Sequence, residues 1–261
     1  MKLRYIQLKA KFGDFDDEFF YRFIDNTRFI SDYLSRKIRT INYETEMNYN
    51  MVNVEISRIE DQCKIVESEK ALTVNIHFSN DELEHYSIMY NEKTRFNYYL
   101  HLLEKGYHTA IQNGYLLPKS YLFQIHTEFR NNKYLNERLF KKALIRKAGV
   151  KIGLFHVLSS YSYRLVLRLY SLTGTLISEG CIYETFPDSI LYGRTVRHVT
   201  INDDKLIITD FLKRPQFICD IKDLSKGIIK SICVNDNTRK YMPNDDNRAE
   251  FTRLKWQNFQ E

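Results

Sequence analysis

The sequence predicts an α+β fold, with helices mostly in the N-terminal half and an antiparallel β-meander or curved sheet in the C-terminal half. Three observations predict it. Before about residue 135, apolar side chains recur at three- and four-residue spacings over long stretches, the period of a helix with one buried face. Beyond about residue 136 they alternate with polar ones, the period of a strand. The C-terminal strands also follow one another too closely for the crossover of about a dozen residues that parallel pairing needs. With four Pro, nine Gly and no Gly/Ser/Pro linker, residues 1–261 read as a single domain, helix-rich over about 1–135 and β-rich over about 136–261.

Leu3 to Phe12 is expected as a first strand, although its apolar phase slips between Tyr5 and Ile6. Phe15 to Ile41 follows as a helix, carrying Phe19, Phe23, Ile24, Phe29, Ile30, Tyr33 and Leu34 on its stripe. Val52, Val54 and Ile56 alternate with polar residues, as do Leu72, Val74, Ile76 and Phe78, so each set marks a strand with one wet face. Ser79 and Asn80 are good helix caps, and Asp81, Glu82 and Glu84 suit a first turn near the positive end of the helix dipole. A longer helix is expected from about Thr94 to Asn113, stopped by Asn113-Gly114. Pro118 bars its continuation, and a shorter helix is expected over Ser120–Asn131.

The second half reads as strands at Leu139–Arg146, Val150–Leu158, Ser162–Tyr170, Leu176–Tyr183, Thr195–Ile201, Lys205–Phe211, Phe217–Ile221 and Ile228–Val234. Thr173-Gly174 and Asn202-Asp203-Asp204 supply turns between neighbours. A short C-terminal helix is expected over Asn247–Phe259, after the polar turn Pro243–Asp246.

Composition narrows the functional classes. No run approaches the roughly 20 apolar residues that span a bilayer, and no signal peptide is visible, so the chain is expected in the cytoplasm and away from membranes. Cys63, Cys181, Cys219 and Cys233 lie far apart with no CxxC, which points to small buried hydrophobes in a reduced compartment and to no zinc site. The net charge of +6 is concentrated. Arg130, Lys133, Arg138, Lys141, Lys142, Arg146, Lys147 and Lys151 face Glu137 alone between residues 130 and 151, a formal +7 that leaves the remainder at −1. Such a segment is either a solvated face of paired strands or a surface for an anionic partner.

Strong catalytic signatures are missing from the sequence: no P-loop, GxGxxG, GxSxG, HExxH or kinase set. Three weaker constellations remain. His101, Glu104 and His108 share a helix face, but the two histidines stand about 10 Å apart along it, too far to ligate one ion with bonds of about 2.1 Å. Asp210 together with Asp220-Ile221-Lys222 resembles the metal-dependent nucleases that place two carboxylates and a lysine on adjacent strands. The same acidic-x-Lys triplet recurs at Asp203-Asp204-Lys205, and strand-end turns account for it equally. Finally, Tyr134 and Phe140 lie within the basic segment, an arrangement single-stranded nucleic-acid binders use.

Residues of about 84–193 resemble the immunity proteins that neutralise bacterial polymorphic and contact-delivered toxins. The resemblance lies in HYSIMYNEKTRFNYYLHLLEKGYHTAI, in EFRNNKYLNERLFKKALIRKAGVKIGLFHVLSSYSYRLVLRLYS and in YETFPDSILYG: a Tyr-rich helical stretch, a basic hairpin, alternating strands and a T-x-P-D turn. It implies a non-enzymatic inhibitor without cofactor or catalytic residues, binding a cognate protein toxin. The expected contact set is Arg130, Lys133, Tyr134, Arg138, Lys141, Lys142, Arg146 and Lys147, since tyrosine and arginine anchor interfaces and cations steer an acidic partner. The alternatives are a basic nucleic-acid-binding protein, or a metal-dependent nuclease using Asp210, Asp220 and Lys222.

Overall fold

A computed structural model describes residues 1–187, 189–202 and 204–235. The helix expected at Asn247–Phe259 and the turn residue Asp203 lie outside the described residues. The fold is α+β as the periodicities require, with helices gathered in the N-terminal half and antiparallel sheets in the C-terminal half. The chain divides into two units, Met1–Asn136 and Glu137–Glu261. Their boundary falls where the apolar period changes from helical to alternating.

The first unit runs β1 (Tyr5–Ala10), α1 (Asp17–Thr40), β2 (Met51–Ser57), β3 (Gln62–Val66), β4 (Ala71–His77), α2 (Asn80–Ser87), α3 (Glu92–Gln112) and α4 (Lys119–Asn131). Its sheet has the order β1-β2-β4-β3, with β1, β2 and β4 parallel and β3 antiparallel at the edge. The 24 residues of α1 supply the crossover that parallel pairing of β1 and β2 needs. Ile6, Val52 and Leu72 align in one row and Leu8, Val54 and Val74 in the next, all buried. Burial of Ile6, Leu8 and Ala10 resolves the phase slip in the first strand. Strand β3 was not anticipated, because QCKIV is short and its alternation is broken.

Helix starts follow their caps. Asp16 accepts from the Phe19 N–H at 2.8 Å, and Ser79 with Glu82 closes a capping box at α2. Helix α3 packs so close to β2 that a Cβ at Gly106 would lie 2.6 Å from a Val54 methyl, so only glycine fits there. Much of the aromatic content fills this core: Phe23 meets Tyr99 at 5.5 Å, Phe19 meets Tyr86 at 5.6 Å, and the Tyr86 and Tyr99 hydroxyls share a 2.7 Å hydrogen bond.

The second unit contains β5 (Asn136–Ile145), β6 (Val150–Leu158), β7 (Tyr163–Tyr170), β8 (Leu176–Thr185), α5 (Ser189–Thr195), β9 (His198–Asn202), β10 (Lys205–Thr209), β11 (Pro215–Asp220), α6 (Ile221–Ser225) and β12 (Ile232–Cys233). Its strands form two four-stranded antiparallel sheets, β5 to β8 and β9 to β12, each in sequence order. Two expected strands are shorter than their apolar runs. Thr195 closes α5, so β9 begins at His198, and the Ile228–Val234 run pairs only at Ile232–Cys233. Of the four free cysteines only Cys219 is fully buried, where desolvation pushes its thiol up to about 12; Cys181 is exposed. Among the described residues, no helix is long and apolar enough to cross a membrane.

Candidate functional site

The basic segment is split between the units, and its cations have different fates. Tyr134 is buried in the first unit, and Arg130 is half-buried beside it. Glu104 on α3 accepts from Arg130 at 2.8 Å and bonds His126 Nδ1 at 3.0 Å, while the Tyr134 hydroxyl donates to Asn97 at 2.6 Å. Burial works against the Glu104 charge, yet the His126 and Arg130 hydrogen bonds hold its carboxyl down at about 2. Burial likewise lowers the His126 pKa. The helix-face trio of His101, Glu104 and His108 is therefore replaced by Glu104, His126 and Arg130, with His101 and His108 exposed. Lys133 and Tyr134 stop α4 with two successive left-handed residues, φ 52° and 58°. Arg130 and Tyr134 thus have partners within the first unit, the Arg130 side chain remaining 33% exposed.

Strand β5 is an edge of its sheet and carries Arg138, Lys141 and Lys142. Glu137, the one acidic residue of the segment, is occupied: Arg168 on β7 donates two parallel hydrogen bonds to it, at 2.6 and 2.7 Å. The same guanidinium pairs with Glu179 on β8 and lies 4.3 Å from the Phe155 ring centre. Four strands are thus tied across one face by one guanidinium and two carboxylates, a cluster that keeps a formal charge of −1. Arg138 lies half-buried near His156, whose pKa falls to about 3 through burial and that nearby charge. His156 bonds the Tyr163 hydroxyl at 2.7 Å and is covered by the Phe140 ring at 4.6 Å. It is a neutral interior histidine with the half-buried Arg138 beside it.

Three grooves flank β5. The largest, about 740 Å³, has Gly153, Phe155 and Tyr170 along one side and Leu139, Lys142 and Lys151 among its other lining residues. Leu139 and Leu144, which both line it, are 45% and 47% exposed. A second, of about 590 Å³, joins Phe140 and Lys141 to Arg197, His198, Thr209 and Lys213. A third, about 310 Å³, takes in Arg146 and Lys147, which form a single 3-10 turn with Ala148. Four of the eight expected contact residues, Lys141, Lys142, Arg146 and Lys147, thereby line concave surface. Sequence reasoning missed Arg197, His198, Thr209 and Lys213, because only the fold brings them opposite β5.

The nuclease arrangement is not formed. Strands β10 and β11 pair with Lys205 opposite Asp220 and Thr209 opposite Pro215, which puts Asp210 and Asp220 at opposite ends of the ladder, roughly 16 Å apart. One ion with bonds near 2.1–2.5 Å cannot reach both. Each carboxylate has a local task instead. Asp210 accepts from the Leu212 and Arg214 N–H groups, from Arg214 Nε and from Gln216 Nε2. Burial opposes its charge, but the Arg214 bonds outweigh that and lower its pKa. Asp220 caps α6, accepting from the Lys222 N–H at 2.7 Å. Among the described residues, no group of three or more His, Cys, Asp or Glu could hold a metal ion.

No family model, curated protein or solved structure matches this chain. The chemistry available to the grooves follows from their linings. All three present cations and apolar walls, and none of their lining residues is a carboxylate. Such surfaces suit recognition of an anionic or amphipathic partner.

Proposed function

We propose that this chain is a cytoplasmic binding protein that acts without catalysis: an immunity protein that neutralises a cognate bacterial toxin by direct contact. One observation carries the reading. Along β5 and its partner β6, exposed Leu139 and Leu144 sit in the same groove as Lys142 and Lys151. An apolar centre with a charged margin is the make-up of a protein interface. The resemblance over about residues 84–193 points the same way. Of the expected contact residues this reading centres on Lys142, adds Lys151, Leu139 and Leu144 from the same groove, and takes support from Arg146 and from Lys147, which pairs with Asp204 at 3.6 Å. An acidic toxin surface is the complement.

Growth protection tests this reading. Cells expressing the chain are challenged with individual bacterial toxins, beginning with any effector encoded beside its gene. Rescue from one toxin and not from others is the expected result, with rescue lost in the Lys142→Glu, Leu144→Asp double variant while the purified variant still folds. Rescue that survives this double variant removes β5 from the interface. Substrate turnover by highly purified protein overturns the non-catalytic reading altogether.

A further inference from the structure

The second groove carries a feature that protein contact does not call for. Lys141 comes from β5, Arg197 and His198 from the start of β9, and Lys213 from the turn after β10, all lining one concavity of about 590 Å³. Among the described residues, none of the four stands within ion-pair distance of a carboxylate. Asp210, the acidic residue nearest Lys213 in sequence, has its carboxylate filled by Arg214, Leu212 and Gln216.

Thr209 lines the same groove, is 6% exposed, and its hydroxyl makes no hydrogen bond. A covered hydroxyl without a partner is uncommon and calls for an explanation. Its position is fixed: Thr209 pairs with His198 across β9 and β10, and its carbonyl accepts from the Arg197 N–H at 2.8 Å. Lys213 adds a second oddity. It holds a left-handed backbone, φ 62°, in a turn organised by Asp210. Glycine or asparagine takes that conformation at less cost than lysine does. A costly residue beside a cluster of unpaired cations points to function.

We propose that this groove binds a small polyphosphorylated ligand of the nucleotide class. Lys141, Arg197 and Lys213 meet phosphate oxygens, with His198 as a further partner and the covered Thr209 in the wall behind them, and Phe140 offers an aromatic wall for the base. The volume lies within the usual range for small-ligand sites, roughly 300–1,000 Å³, and the cations all line one concavity. This site is separate from the Leu139–Leu144 groove and does not depend on the toxin-neutralising reading.

Calorimetric titration of the full chain with ATP, pyrophosphate and adenosine tests it. Saturable one-site binding of ATP and pyrophosphate is expected, with ATP tighter and adenosine silent. Lys213→Asn and Arg197→Gln should each weaken ATP binding about tenfold, the loss expected of one charge-assisted contact. Lys213→Asn should meanwhile keep or raise the melting temperature, because asparagine tolerates the left-handed turn; this separates lost binding from lost folding. Phe140→Leu should weaken ATP and leave pyrophosphate unchanged. Absence of saturable binding by both phosphates overturns the proposal, as does ATP affinity untouched by both cation variants. Binding of a single-stranded oligonucleotide without ATP binding also overturns it, in favour of a nucleic-acid surface.

Discussion

The two units both contain paired and unpaired charges, but they differ in what the pairs join. In the first, ion pairs and hydrogen bonds link separate elements: Glu104 lies between His126 and Arg130, Lys37 meets Glu128 at 2.8 Å, and Asp14 accepts from the Ser57 hydroxyl at 2.6 Å and the Arg58 N–H at 2.8 Å. In the second, Arg168 is bound as tightly, but Lys141, Lys142, Arg146, Arg197 and Lys213 have no carboxylate partner among the described residues. Charges paired in a partly buried setting fix the fold around them. Unpaired cations at a solvated surface contribute little to folding in either direction.

Glu104→Ala is the strongest way to break that contrast. It strands the buried His126 and leaves Arg130 without its carboxylate, at a cost of about 2–3 kcal/mol at neutral pH by urea denaturation. Acid should reproduce part of the effect. The folded Glu104 carboxyl titrates near 2 against an ordinary 4.5, so its stabilisation is complete above about 4.5 and lost as pH falls toward 2. His126 is also lowered, from an ordinary 6.5, so the unfolded chain takes up its proton first and stability begins to fall below that pH. An acid melt of the wild type that is as insensitive as that of Glu104→Ala overturns the assignment. Gly106→Ala comes next: the new methyl meets Val54 at 2.6 Å, and the overpacked helix–sheet contact should cost about 1–3 kcal/mol.

How much of this was legible in the sequence depends on range. Periods of two and 3.6 are local, so the long helices, the alternating strands and the change of character near residue 135 could be read directly. Strand β3, whose short QCKIV run carries no clear period, could not. The parallel pairing of β1, β2 and β4 lies beyond local pattern too, since it depends on where α1 returns the chain. The candidate site was half visible. Its lysines stand in one run, but nothing in that run tells Arg130, paired with Glu104 across 26 residues, from Lys141, left facing a groove. Arg197, His198 and Lys213 carried no signal at all, because only the fold brings them opposite Phe140 and Lys141. Asp210 drew notice as a possible metal ligand, whereas its actual work is to shape the turn that presents Lys213.

The smallest expected effect is also the most discriminating. Replacing Lys141 and Lys142 by glutamine removes two of the cations of β5 while keeping the length of the side chains. If these lysines held the fold, as Arg130 does in the first unit, the double variant should lose stability. They touch no carboxylate among the described residues, so urea denaturation should change by less than about 0.5 kcal/mol, and any change should be stabilising at low salt, where cation repulsion is least screened. Light scattering supplies the other half of the test. Lysines on an edge strand also keep it from pairing with a second copy, so a stable variant that now self-associates assigns them to edge protection. A variant that stays monomeric and stable, yet binds ATP more weakly through loss of Lys141, assigns that lysine to recognition.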